Sequence, residues 1–161
     1  MMSKHREEAV WQRVMAASAE APDCTPTVRS DDGLTQTKIL ELLERELLDA
    51  CTYRTLAGRM GKQARCGLQQ LAREEQQHYK KLEAIYYLMT GSRPCPDRPK
   101  APCVACTSEE LRNRYRQEVA GAEAYHGLAE KAGSFAELFH GLSRAEERHA
   151  RQILALLQQC L

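Results

Sequence analysis

Four of the five histidines in this chain of 161 residues stand three positions after a glutamate. The pairs are Glu75/His78, Glu123/His126, Glu137/His140 and Glu146/His149. On a helix, side chains three apart lie on the same face. A carboxylate and an imidazole placed there can hold one divalent ion, whose chemistry would be Lewis-acid or redox chemistry. The same spacing also decorates solvated helix surfaces, so each pair must be judged by the face it occupies and its height along the fold.

The elements that would carry these residues are helical. Leu, Ala, Glu, Gln, Arg and Lys dominate, and β-branched runs are missing. A short helix is expected over about residues 5–20, with Val10, Trp11, Val14 and Met15 on one side, followed by a Pro/Asp/Gly linker over 21–34. The first long helix runs from about Thr35 to Arg59. Gly61 marks a tight break, and the second long helix continues to about Thr90. Residues 91–107, GSRPCPDRPKAPCVACT, hold four prolines and cannot be a helix. A capping box, Thr107-x-x-Glu110, opens the third helix, which ends near Gly133. A second box, Ser134-x-x-Glu137, opens the fourth. Two helical hairpins joined by one long connection make an all-α four-helix bundle with a crossover, occupying residues 35–161 behind an N-terminal helix and linker at 1–34.

The two hairpins are similar to each other. ELLDACTYRTLA (46–57) aligns with EVAGAEAYHGLA (118–129), and LAREEQQH (71–78) aligns with LSRAEERH (142–149). The shared positions are Glu46/Glu118, Tyr53/Tyr125, Glu75/Glu146 and His78/His149.

Face and height separate the four pairs. At about 100° per residue, Leu68, Leu71, His78, Leu82 and Tyr86 fall within about 60° of Glu75. Leu138, Leu142, His149 and Ile153 gather about Glu146 in the same way. Glu137 lies about 180° from that stripe and His140 about 120°. On the third helix Glu118 shares a face with Leu111, Ala122, Tyr125 and Ala129, whereas Glu123 is about 140° away with His126 at the margin. On the first helix Glu46 shares a face with Ile39, Leu42, Ala50, Tyr53 and Ala57. Counted from Gly61 and Gly133 as turns, Glu46, Glu75, His78, Glu118, Glu146 and His149 all reach mid-bundle within about one turn.

Four carboxylates and two imidazoles at one level of an apolar core are costly, at several kcal/mol for each unpaired buried charge. No Lys or Arg is expected on the core faces to compensate them. Two divalent ions would remove the cost, and carboxylate with imidazole suits Fe or Mn better than thiolate-loving structural zinc. A lone Glu from each of two helices plus Glu-x-x-His from the other two is the di-iron or di-manganese carboxylate pattern.

On these six residues the chain, over 35–160, resembles the rubrerythrin branch of the ferritin-like superfamily. The resemblance implies a ferritin-like bundle holding two Fe ions, with Mn as the other candidate. Its ligands would be Glu46, Glu75, His78, Glu118, Glu146 and His149, with Glu75 and Glu146 bridging. It implies an oxidoreductase that reduces hydrogen peroxide or dioxygen. Tyr53 and Tyr125 match tyrosines that hydrogen-bond ligand carboxylates; the other reading is that they are plain core residues.

The chain also departs from that family. Rubrerythrin carries a rubredoxin domain with two cysteine pairs, whereas this chain has one CxxC, Cys103-x-x-Cys106. Electrons are therefore expected from a separate donor protein or from thiol chemistry. Cys95, Cys103 and Cys106 are candidates for a redox pair or, with Cys24, a zinc site. Cys51, Cys66 and Cys160 read as packing residues. The extra Glu that rubrerythrins carry one turn after the lone Glu of the third helix is Gly121 here, which would leave room for a small oxidant. Asp49, at the corresponding place on the first helix, could substitute for it; the other reading, favoured here, is a solvated residue at the edge of the stripe.

A net charge of +1 gives no pull towards nucleic acid or an anionic membrane. No segment approaches the roughly 20 apolar residues of a membrane span. The polar start, MMSKHREEAVWQRVMAAS, lacks a signal-peptide core. Seven cysteines then suggest a reducing, cytoplasmic setting. A homodimer is the expected assembly. Ferritin-like iron oxidation and storage, manganese catalase, and a metal-free scaffold are the competing functional readings.

Overall fold

A computed structural model describes residues 34–158. The predicted N-terminal helix, most of its linker, Cys24 and Cys160 lie outside the described residues. Four helices carry the fold: α1 (Gln36–Ala57), α2 (Lys62–Thr90), α3 (Thr107–Ala129) and α4 (Ala136–Gln158). No strand occurs among the described residues. None of these helices is long and apolar enough to cross a membrane.

The ends follow local chemistry. Thr35 caps α1, its hydroxyl accepting from the Lys38 amide at 3.1 Å. α2 ends at Gly91, which adopts φ 70°, a left-handed conformation that costs glycine no Cβ clash. Neither predicted capping box forms. Cys106 occupies the N-cap of α3 without a side-chain bond, and Thr107 is already helical. α3 stops at Ala129 rather than near Gly133. A 3₁₀ turn, Gly133–Phe135, then precedes α4, with Gly133 at φ 51°. Ser134 lies within that turn, which reverses the chain more tightly than a capped helix start would.

α1 packs along α2, and α3 along α4, so the hairpins are the main packing units. Tyr125 bonds Glu46 and Tyr53 bonds Glu118, which sets α1 antiparallel to α3. α2 and α3 therefore point the same way, and the irregular segment between them must return the length of the bundle. Its far end is held by Arg59, which donates to the Val104 carbonyl, and Val104 is itself buried.

The apolar core comes in two layers. One holds Tyr53, Leu56, Leu68, Leu71, Leu111 and Ile153 at the α1–α2 turn end. The other holds Ile39, Leu43, Leu82, Ile85, Phe139 and Leu142 at the opposite end. Between them lies a band of buried polar side chains.

Candidate metal centre

The polar band contains all six residues selected by face and height. Glu46, Glu75 and Glu118 are each 1% exposed, Glu146 2%, His78 3% and His149 0%. α1 and α3 supply one glutamate each, and α2 and α4 supply a Glu/His pair one turn apart. Glu75, His78, Glu146 and His149 each bring a donor atom within 4.8 Å of the others.

The donor atoms fall into two sets. In the first, His78 Nδ1 stands 2.9 Å from Glu75 Oε2, 3.1 Å from Glu146 Oε1 and 3.3 Å from Glu46 Oε2. In the second, His149 Nδ1 stands 2.9 Å from Glu75 Oε1 and 3.4 Å from Glu118 Oε2, with Glu146 Oε1 at 4.0 Å. Glu75 thus turns one oxygen to each imidazole. The two rings stack with centroids 5.3 Å apart.

These atoms are close, yet they lack hydrogen-bond alignment. Among the described residues, nine buried side-chain N and O atoms have no hydrogen-bond partner, and seven of them belong to this cluster. Buried polar atoms are rarely left so. Donors bound about 2.1 Å from a common ion stand about 3.0–3.4 Å apart and point at it rather than at each other. The residues present therefore fit divalent metal, more closely in the first set than in the second.

The electrostatics are those of charge crowded away from water. Burial raises Glu75 and Glu146 above the usual carboxylate range, and neighbouring glutamates add to it. Burial also opposes the charge of Glu46, but His78 and Arg45 hold it below its ordinary value. Burial alone would lower His78; the carboxylates of Glu146, Glu46 and Glu75 override it and drive the imidazole up to about 12. His149 is likewise driven up to about 11, by Glu118 and Glu75.

A surrounding layer orients the cluster. The Tyr53 hydroxyl donates to Glu118 Oε1 and the Tyr125 hydroxyl to Glu46 Oε1. Each tyrosine therefore serves the lone glutamate of the other hairpin. His149 Nε2 lies 2.9 Å from Glu74 Oε2, which reserves Nδ1 for the cluster. The repeat position of Glu74 is Ala145, so the two halves differ here.

Three expectations are corrected. The core does contain cations. Arg114 is 7% exposed and pairs with Asp49, with Glu110 Oε1 3.1 Å from its Nε. Arg45 Nη2 lies 3.2 Å from Glu46 Oε1 and 3.7 Å from Glu146 Oε2. Arg114 stands four residues before Glu118, about 40° round the helix, so helix periodicity alone places it near the core face. Asp49 is not solvated. It is 5% exposed, and burial, opposed by Arg114, raises its carboxyl to about 7. The space at Gly121 is filled: a Cβ there would stand 2.6 Å from Glu146 Oε2 and 3.2 Å from Arg45 Nη2.

The other pairs stay outside. Glu123 and Glu137 are exposed, and the His126 side chain is 63% exposed. The His126 and His140 rings meet each other across the hairpin, with centroids 5.6 Å apart.

Cys95, Cys103 and Cys106 are free and exposed. Cys103 and Cys106 line a surface cleft of about 560 Å³ with Arg112 and Arg116. The Ser108 hydroxyl and helix amides lower the Cys106 thiol. Cys66 is exposed rather than packed, and Cys51 is half-buried. Comparisons with known protein families, with characterised proteins and with solved structures find no match to this chain.

Proposed function

We propose that the chain is a rubrerythrin-like di-metal carboxylate oxidoreductase with a ferritin-like bundle, reducing hydrogen peroxide or dioxygen with electrons from a separate donor. The observation that carries this reading is Glu75, whose two oxygens each stand 2.9 Å from a different imidazole Nδ1. One carboxylate so placed would serve two ions. Glu46, Glu75, His78 and Glu146 would hold one, and Glu75, Glu118, His149 and Glu146 the other. Two iron ions in these positions would supply Lewis acidity and one electron each.

The chain's own residues do the rest. Tyr53 and Tyr125 keep Glu118 and Glu46 turned inward by donating to their outer oxygens. Glu74 holds the His149 ring in one tautomer. The apolar layers above and below keep bulk water from the cluster, which strengthens every electrostatic interaction inside it.

The test is metal content per chain by elemental analysis, on wild type and Glu75→Ala, followed by peroxide kinetics. Near two iron atoms per chain, lost in the variant together with peroxide turnover, supports the reading. Two manganese ions, with peroxide disproportionated, would move it to a catalase. A particle of many subunits by size-exclusion chromatography would move it to iron storage. No bound metal in either protein, with stability unchanged by added Fe(II), would make the band a polar scaffold.

A further inference from the structure

All six prolines of the chain lie in the two segments that lead into the hairpins. Pro22 and Pro26 precede α1, and Pro94, Pro96, Pro99 and Pro102 precede α3. Each segment sets a cysteine between two prolines, Pro94-Cys95-Pro96 in one and Pro22-Asp23-Cys24-Thr25-Pro26 in the other. The offset that carries Glu46 onto Glu118 also carries Pro22 onto Pro94. The internal repeat therefore extends past the helices into the segment before each hairpin.

The segment before α3 lies on the first hairpin. Pro94, Pro96 and Pro99 line a cleft of about 500 Å³ together with Leu47, Arg54 and Tyr79 of α1 and α2. Leu47 is half-buried there. Proline fixes φ in an extended backbone, so such a strand docks on an apolar and aromatic groove with little entropy left to lose.

The second hairpin has the same groove without its strand. The repeat counterparts of Leu47, Arg54 and Tyr79 are Val119, His126 and Ala150. With Tyr115 and Leu154 they line a cleft of about 520 Å³. Among the described residues, α3 and α4 alone line it. Val119 is 37% exposed and Leu154 42%, two of the five large apolar side chains left exposed among the described residues. Glu147 and Arg151, also on its lining, pair with each other at 3.9 Å. The chain outside the described residues ends within reach of this groove. α1 runs antiparallel to α3, so it starts where α3 finishes, and His126 is within a turn of that end. Thr27 precedes Leu34 by seven residues. That length spans up to about 25 Å, against about 10 Å between adjacent helix axes.

We propose that residues 21–28 of this chain, APDCTPTV, lie along the α3–α4 groove as residues 94–99 lie along the α1–α2 groove, so that each hairpin is strapped by the segment leading into the other. Docking of this strap does not depend on metal, and it stands apart from the di-metal reading.

The experiment places a photoreactive benzoylphenylalanine at one of two counterpart positions of the full chain, Arg54 or His126, both exposed. Each protein is irradiated in an equal mixture of isotope-labelled and unlabelled chains, and the adducts are mapped by mass spectrometry. The Arg54 probe should capture residues 94–99, which calibrates the reaction. The His126 probe should capture residues 21–28 of its own chain. Leu154→Asp should lower that yield about fivefold or more, because a charge then replaces buried apolar surface, and should leave the Arg54 yield unchanged. A probe at Leu154 tests the same groove if the His126 protein fails to fold. Capture of residues 21–28 from the other isotopic chain would overturn the proposal, since a second copy would then fill the groove. Capture of another segment or of none, while Arg54 captures 94–99, would overturn it as well, as would an equal His126 yield in Leu154→Asp. If Arg54 fails to capture 94–99, the parallel between the hairpins falls and the strap falls with it.

Discussion

Glu75 is the residue on which the cluster turns, because its two oxygens face different imidazoles. Glu118 faces His149 alone. Glu75→Ala should therefore reduce bound metal from about two ions per chain towards none, whereas Glu118→Ala should retain about one. His126→Ala and His140→Ala should leave the metal content unchanged. Loss of metal in those two by elemental analysis would refute the argument from helix face. Protons compete with metal for the same atoms. His78 and His149 sit at about 12 and about 11 in the folded chain, above the roughly 6.5 of an unfolded histidine. Without metal, their contribution to stability is full below about 6.5 and is lost as pH rises through about 11 to 12. Metal needs neutral imidazole, so its uptake at pH 7 must release protons. The apparent affinity should rise with pH across that window. Calorimetry of metal uptake in two buffers of different ionisation enthalpy counts the protons, and a count of zero would refute this.

At the scale of elements, two near-copies of a hairpin are tied together by reciprocal bonds. Tyr53 of α1 serves Glu118 of α3, and Tyr125 of α3 serves Glu46 of α1. Tyr53→Phe should weaken metal binding about tenfold or more, because Glu118 is then free to turn, while folding loses only about 1 kcal/mol. Metal titration beside chemical denaturation separates the two effects. Asp49 and Arg114 form a third tie between the same helices, both buried. Removing Asp49 leaves Arg114 with the partly exposed Glu110 as its remaining carboxylate. Asp49→Ala should cost about 1–3 kcal/mol, and the double change Asp49→Leu with Arg114→Leu should cost less. Urea denaturation of the three proteins would show it, and equal losses in the single and double variants would count against a buried pair.

For the molecule as a whole, the polar band divides what would otherwise be one continuous core. Ions binding only the folded chain would stabilise it by about 4 kcal/mol at a thousand times the dissociation constant. For a domain of this size that is a rise in melting temperature of roughly 10 °C or more. Scanning calorimetry with and without a strong chelator should show the difference. Coincident melts would mean that Arg45, Arg114 and the protonated histidines alone make the band tolerable.

Much of this was legible in the chain itself. The helices, the crossover and the six mid-bundle residues follow from periodicity, proline content and an internal repeat, because a helix imposes one angle and one rise on every residue. Burial of Glu75, His78, Glu146 and His149 follows from the same arithmetic that left His126 and His140 outside. Arg114 obeys that arithmetic too, but a cation near Glu118 reads as surface until Asp49 is found across from it. What needed the tertiary structure were contacts between hairpins: which tyrosine meets which glutamate, that Asp49 is paired, and that Arg45 takes the space beside Gly121. Arg45 lies about 100° round α1 from Glu46, off the core face. Its long side chain reaches back to the cluster only because α3 offers a glycine there. A pattern along one helix carries no information on the gap left by another.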